Sequence, residues 1–367
     1  MLLALTNARI FTGAETVEGK ALLVRNGIID SMISPRDIPS GYEIIDCGGN
    51  HLCSGFIDLQ IAGGGGYLFF SLPTPEALNA ITGAIVRTGT TGFLIAIPTN
   101  SMEVYRQVIR VAAENPNPAL LGLHVEGPFL NPVRRGAHIR EYIRPPVRED
   151  VEAIVSQAEG VVGMMTVAPE VCSREMIELL INKGIVVAAG HSNATFKEAV
   201  EGFRNGIMTT THLFNAMSQL HHRDPGLPGA VFRTPGVFAS IIADGIHVDY
   251  NMVSIAKKLM GDRLFLISDA VEENRKESYM HIRKEDRFTL PDGTLSGSAL
   301  TMMKAVENCV KHVSIPLEEA LRMATLYPAR VMGLSDRGRI GSGCRADLVA
   351  FDDEFIVQKV CLNGRII

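Results

Sequence analysis

Apolar runs of strand length recur along the chain, and the segments between them carry a polar face at helical spacing. The runs are CSGFIDLQ (53–60), TGFLIAIPT (91–99), LLGLHVEGP (120–128), VVGMMTVAPE (161–170), GIVVAAGHS (184–192), GIMTTTHLF (206–214), VFASIIADG (237–245) and RLFLISDA (263–270), eight in all. Between them, SREMIELLINKG and NATFKEAVEGFRNG place apolar residues three to four apart and end at glycine, as amphipathic helices do. Near-continuous apolar strands that alternate with such helices indicate parallel strands covered by helices. Eight units fit an α/β architecture of the TIM-type (β/α)8 barrel, typically ~250 residues. An open doubly wound sheet is the structural rival.

The two ends read differently. Residues 1–50 give short alternating runs with turn residues between them, and so does the tail, where ADLVAF and IVQKVCLNG flank turn signals and Asn363-Gly364 marks a hairpin. A small β-sandwich domain built from both termini (1–50 and 336–367) is expected beside a barrel domain of 51–335. The run GGGG (63–66) reads as a flexible loop after the first strand.

Composition narrows the chemistry. A chain of 367 residues with 46% hydrophobic content can bury a large core, and a net charge of −5 with scattered basic residues lacks the footprint of a nucleic-acid binder. The apolar start MLLALTNARIF is too short for a signal segment and no run approaches a membrane span. Six cysteines without a CxxC spacing read as free thiols, which suits a reducing cytoplasm.

In a barrel the carboxyl ends of the strands share one mouth. The third run ends in Glu126, the fifth in His191, the sixth in His212, the seventh is followed by His247, and the eighth ends in Asp269. A carboxylate and two imidazoles make a three-ligand set for Zn²⁺ or another first-row divalent ion, with a position left for water. Asp269 would then be free as a base. His124 lies two residues before Glu126 on the same side of its strand, inside the barrel. His51, His281 and His312 fall away from the strand ends and read as surface or structural residues, while His221 and His222 occupy the loop after the sixth strand.

In order along nearly the whole chain, GFIDLQ, HVEGPF, GAH, GHSNAT, THLFNAM, DPGLPGA, IIADGIHVD, SDA, GTLSGSALTM and MATLYPAR resemble the motif series of the N-acetylglucosamine-6-phosphate deacetylases of the amidohydrolase superfamily. The resemblance implies a metal-dependent (β/α)8 barrel with a β-sandwich made of both termini. It also implies hydrolysis of the acetamide of N-acetyl-D-glucosamine 6-phosphate in amino-sugar catabolism. Where many superfamily members end the first strand in His-x-His, this chain has Gln60-Ile-Ala62, and the fourth strand ends TVAPE without a bridging lysine. One ion, zinc or iron, held by Glu126, His191 and His212, is therefore implied. Asp269 would take a proton from water and pass it to the departing amine. His138 would donate to the substrate carbonyl.

The resemblance further implies that Arg223, contributed by the neighbouring subunit of a homodimer, reaches the phosphate together with His247 and the backbone at Asn215 and Ala216. Ala137 and the segment Leu295, Ser296, Gly297 would contact the sugar. No glycine-rich phosphate loop is present to do this work. Three other functions are consistent with the residues: deacetylation of another hexosamine phosphate such as the galactosamine epimer, another amidohydrolase reaction such as deamination, and a non-catalytic barrel. The charged segment 271–288 departs most from the family pattern and is expected to cover the mouth.

Overall fold

The computed structural model describes residues 1–156, 160–275 and 279–367. Strands β1 (Phe56–Ile61), β2 (Thr90–Pro98), β3 (Leu120–Glu126), β4 (Val162–Val167), β5 (Val186–Ala189) and β6 (Thr209–Thr210) form one parallel sheet in sequence order. Strands β7 (Ala239–Ile241) and β8 (Leu264–Leu266) form a parallel pair. Backbone hydrogen bonds close these pieces into a ring. Thr210 N–H donates to the Phe238 carbonyl (3.1 Å) and Leu213 N–H to that of Ser240 (2.8 Å), joining β6 to β7. Asp269 N–H donates to the Gln60 carbonyl (2.9 Å) and Ala62 N–H to that of Ala270 (2.8 Å), joining β8 to β1. An open sheet would leave both edges unpaired, so the doubly wound rival is excluded.

Helices α1 (Pro75–Arg87), α2 (Met102–Glu114), α3 (Arg148–Val155), α4 (Arg174–Asn182), α5 (Phe196–Arg204), α6 (Gly226–Arg233), α7 (Tyr250–Met260) and α8 (Met302–Val313) follow the strands in alternation. Their starts are written in the sequence. Ser173 Oγ accepts from Met176 N–H at the head of α4, and Thr195 forms a capping box with Glu198 at the head of α5. Helix α4 turns Met176, Ile177 and Leu180 inward, and burying each is worth roughly 1.5–3 kcal/mol. Gly184 and Gly206, which end these two helical segments, take φ of +76° and +109°.

Both termini contribute to the flanking sheets. Leu2–Thr6, Ala21–Arg25, Ile28–Ile33 and Glu43–Asp46 form one sheet. The second joins Arg9–Phe11, Thr16–Val17 and His51–Ser54 to Leu348–Phe351, Val357–Leu362 and Arg365–Ile366 from the tail. Leu3, Leu5, Ile10, Leu22, Ile29, Leu52 and Leu348 fill a core separate from that of the barrel. Asn363 and Gly364, at φ +50° and +75°, turn the final hairpin as the sequence signal requires.

Two local expectations are corrected. The first run is not one strand: His51–Ser54 pairs with the tail, and β1 begins only at Phe56. Gly55 sits at the break because a Cβ there would meet Thr91 Oγ1 at 2.1 Å. The GGGG segment is a packed hairpin rather than a loose loop, with Gly63–Gly64 paired to Tyr67–Leu68 and Gly65 and Gly66 at positive φ. A Cβ on Gly63 would lie 2.3 Å from the Tyr67 carbonyl oxygen. Among the described residues all six cysteines are free and buried, and no helix is long and apolar enough to cross a membrane.

His124 lies inside the barrel, where Nδ1–H donates to the Leu59 carbonyl (3.0 Å) and Nε2 accepts from the Thr166 hydroxyl (2.7 Å). Burial pushes its pKa down to about 4. Between pH 6.5 and 4 the unfolded chain binds a proton that the folded chain refuses, so stability is full above pH 6.5 and falls toward pH 4. His124→Asn is expected to flatten the fall in thermal stability over that range by at most about 3 kcal/mol. Parallel melting curves of variant and parent from pH 7 to 4 check this, and identical slopes would refute it.

Candidate active site

The mouth is assembled from strand ends that break into left-handed backbone. His191 follows β5 by two residues, His212 follows β6 by two, and Asp269 follows β8 by three; their φ angles are +47°, +34° and +51°. Each such residue costs on the order of 1–3 kcal/mol unless its surroundings hold it. Those surroundings are present: Asn131 N–H donates to the His191 carbonyl (2.9 Å), Ser240 Oγ accepts from His212 N–H (2.8 Å), and Asp269 N–H is the closing bond to β1. Glu170 fixes the turn after His191 by accepting from Asn131, Ser192 and the Asn193 N–H. The kinks swing three polar side chains off apolar strands into the mouth, and bring the two histidines to one point with Glu126.

At that point Glu126 Oε1, His191 Nε2 and His212 Nε2 are each 3.1 Å from the other two. His191 Nδ1 faces the Arg134 carbonyl at 3.1 Å and must donate to it, so its Nε2 presents a lone pair to the carboxylate. His212 Nδ1 meets no hydrogen-bond partner, so His191 is the better anchored of the two. Three converging donor atoms of this kind repel one another unless a cation sits among them. Bonds of about 2.0–2.1 Å at tetrahedral angles place ligand atoms about 3.3 Å apart, close to the spacing seen, so the set fits a divalent ion. Within the described residues these three form the one cluster of metal-binding type.

The electrostatics agree. Burial opposes charge on Glu126, yet the imidazoles of His138, His191 and His212 outweigh it and hold the carboxyl well below its ordinary range. Burial, and then His138, pushes His191 down to about 4, leaving it neutral and able to ligate. His212 is raised, because Glu126 overcomes the effect of burial. One positive charge is thus demanded at the centre of the cluster.

Gln60 joins this cluster to Asp269. Its side-chain amide donates to Glu126 Oε1 and to Asp269 Oδ1, each at 3.0 Å. The sequence showed Gln60 only as the residue standing where other superfamily members carry histidine. Asp58, two residues earlier on the same face of β1, accepts from the Ser268 hydroxyl and from the backbone N–H groups of Gln60 and Ser268. It thereby holds the turn that presents Asp269. Burial first, and the Glu126 charge second, pushes Asp269 up to about 7. A cation bound to Glu126 would draw it back down.

His138 is buried beside Glu126 Oε2 at 3.6 Å. Its Nδ1 faces the Thr99 N–H at 3.2 Å and the Thr99 hydroxyl at 2.8 Å, so Nδ1 accepts and Nε2 carries the proton. His247 Nδ1 donates to Asp244 Oδ2 at 2.6 Å, while its Nε2 has no protein partner. Burial opposes the charge of Asp244, but His247 prevails and lowers its pKa.

Glu126, His138, His191, His212, His247 and Asp269 border one cavity of about 330 Å³, within the range of ligand pockets. Ala137, Asn215, Ala216, Leu295, Ser296 and Gly297 border it too. Arg223 does not: it is exposed, with Nη1 donating to His222 Nε2 at 3.0 Å. His221 and His222 are likewise exposed beside it, and His221 Nδ1 accepts from the Arg223 N–H. His51 pairs with Asp353 and His312 stacks on Tyr250, both away from the mouth. Segment 271–288 supplies Val271, Tyr279 and His281 to the cavity wall; its residues 276–278 lie outside the described ones. Of the two readings open for His281, surface or structural, the surface one falls: it is buried in the cavity wall.

The profile of the amidohydrolase family matches residues 52–367, and that of the NagA composite domain matches residues 2–52. The chain belongs to the amidohydrolase family. A relative from Haemophilus influenzae named N-acetylglucosamine-6-phosphate deacetylase is 34% identical, covering 100% of this chain and 99% of its own. A Shewanella relative named N-acetylgalactosamine-6-phosphate deacetylase is 33% identical, covering 100% and 96%. The crystal structure of N-acetylglucosamine-6-phosphate deacetylase from Pasteurella multocida matches with a TM-score of 0.96 at 34% identity and full coverage of both chains. This amidohydrolase lacks the paired first-strand histidines, and Gln60 fills that end of β1. Purified protein is expected to hold close to one divalent ion per chain, and His191→Ala or His212→Ala to lose it. Elemental analysis that found two tightly bound ions would overturn the single-ion site.

Proposed function

We propose that the chain hydrolyses the N-acetyl group of N-acetyl-D-glucosamine 6-phosphate to D-glucosamine 6-phosphate and acetate. The observation that carries this reading is the Gln60 amide holding the Asp269 carboxylate beside the Glu126, His191 and His212 set. Bound by those three residues, a zinc or iron ion would lower the pKa of water and polarise the acetyl oxygen. Asp269, ionised, takes a proton from the attacking water. His138 Nε2–H donates to the carbonyl oxygen as negative charge develops there. Asp269 then hands its proton to the amine nitrogen as the C–N bond breaks, and acetate and the free amine leave.

His247, oriented by Asp244, faces the phosphate, with the backbone at Asn215 and Ala216 beside it. Arg223 of the same chain stands outside the cavity, and we infer that a second copy in a homodimer supplies this arginine. A guanidinium matches phosphate oxygens in pairs. Ala137 and Leu295 to Gly297 contact the sugar. The six buried thiols suit a cytoplasmic protein. The galactosamine epimer is the second reading, since relatives bearing either name are almost equally similar to this chain.

Acetate release is expected to be faster from N-acetylglucosamine 6-phosphate than from the galactosamine epimer or the unphosphorylated sugar. Asp269→Asn should keep the metal but lose roughly 10²- to 10⁴-fold in kcat, because an amide accepts no proton at neutral pH. Near-normal turnover by that variant would move the base elsewhere.

Arg223→Ala should lower kcat/KM for the phosphorylated sugar roughly 10- to 150-fold, the effect of a charge-assisted contact worth about 1.5–3 kcal/mol. Metal content and turnover of the unphosphorylated sugar should hold. Mixing Arg223→Ala with Asp269→Asn should restore activity in heterodimers, where one mouth combines an intact Asp269 with a borrowed Arg223. Verified heterodimers without recovery would place the phosphate contact within one chain.

A further inference from the structure

We propose that His281 reads a ring hydroxyl of the sugar phosphate and so determines specificity, an inference that rests on the deacetylase reading above. His281 is 4% exposed and borders the same cavity as Asp269 and His138. Ring Nδ1 lies 3.0 Å from Ser296 Oγ, and Ser296 is itself buried at the cavity wall. The ring is thus held from one side by Ser296 and presents the rest of its edge to whatever fills the cavity.

The ring is held rather than hung. Asn274 N–H donates to the His281 carbonyl (3.0 Å) and His281 N–H to that of Asn274 (2.7 Å). Directly after it, Ile282–Arg283 pairs with Arg287–Thr289, and that strand pairs with Leu295–Ser298, which brings Ser296 alongside. Two residues before it, the Tyr279 hydroxyl donates to the Thr99 carbonyl and accepts from Ile139 N–H (3.4 Å), while its ring meets Phe70 edge-on at 5.4 Å. Thr99 also fixes His138 through its N–H. The corner that carries His281 is therefore tied to the residue that orients the carbonyl donor.

The chemistry of the cavity assigns the partner. The acetamide meets the metal set, Asp269 and His138, and the phosphate meets His247 and backbone N–H groups. What remains of an amino-sugar phosphate is a ring bearing neutral hydroxyls. Burial pushes the His281 pKa down to about 4, so near neutrality the imidazole is uncharged and its nitrogen can donate or accept according to tautomer. A site built to bond a hydroxyl leaves a buried polar atom unpaired when that hydroxyl is missing, and so discriminates against the analogue.

The test compares metal-loaded parent enzyme, His281→Phe and the conservative His281→Asn on N-acetylglucosamine 6-phosphate and on its 1-, 3- and 4-deoxy analogues. His281→Phe is expected to lower kcat/KM for the full sugar roughly 2- to 12-fold, mainly through KM, as one uncharged hydrogen bond would. On one deoxy analogue, parent and variant should be equal, because the partner hydroxyl is already gone. His281→Asn should regain part of the loss, and it carries the same comparison should the phenylalanine variant fail to fold. An equal loss on every analogue, or no loss on the full sugar, overturns the assignment while leaving the deacetylase reading intact. Absence of turnover by the parent enzyme on the full sugar takes down both.

Discussion

Three lone pairs aimed at one point are the constraint on which the site depends. Glu126 Oε1, His191 Nε2 and His212 Nε2 stand at 3.1 Å from one another inside a barrel mouth that excludes most water. Without positive charge among them the arrangement is repulsive. Its geometry is imposed from outside, by left-handed backbone at two strand ends and by the bonds from Asn131 and to Ser240 that hold those kinks. The same fixed carboxylate, through Gln60, sets where Asp269 stands. Asp269 and the set of Glu126, His191 and His212 are thus one hydrogen-bonded unit.

Much of this was legible in the chain. The eight apolar runs gave the barrel because near-continuous hydrophobicity bounded by amphipathic helices has few other packings. Strand ends then named Glu126, His191, His212 and Asp269, since closure brings every carboxyl end to one rim. His124 followed from alternation with Glu126. The rest was hidden for physical reasons. Gln60 is an amide at the end of an apolar strand, and its value lies in two partners, 66 and 209 residues away in sequence. His281 belongs to a charged segment whose pattern favours exposure, and only the pairing of its hairpin with Ser296 and the Tyr279 anchor buries it.

Boundaries were hidden for a different reason. CSGFIDLQ reads as one apolar run because both sheets it serves want apolar residues, and only the close approach of Thr91 to Gly55 shows where one sheet ends and the next begins. The GGGG run reads as slack because glycine is permissive. Here the permissiveness is used for tight packing against Tyr67 and Ala80, where a side chain would collide.

The strand that precedes β1 is completed from the far end of the chain: Leu348 lies opposite Ser54, and Phe351 opposite His51. Two residues beyond Ser54 the chain enters the barrel strand that bears Asp58 and Gln60. Its other partner, Arg9–Phe11, precedes it in the chain, but on a ribosome the barrel strands would be made before this tail partner exists. Contacts of such long sequence separation form late, since loop-closure entropy must be met first. Strand β1 is itself held by β2 and β8, so a nascent chain short of its tail would carry Glu126, His191, His212 and Asp269 with the strand that leads into β1 paired on one side only.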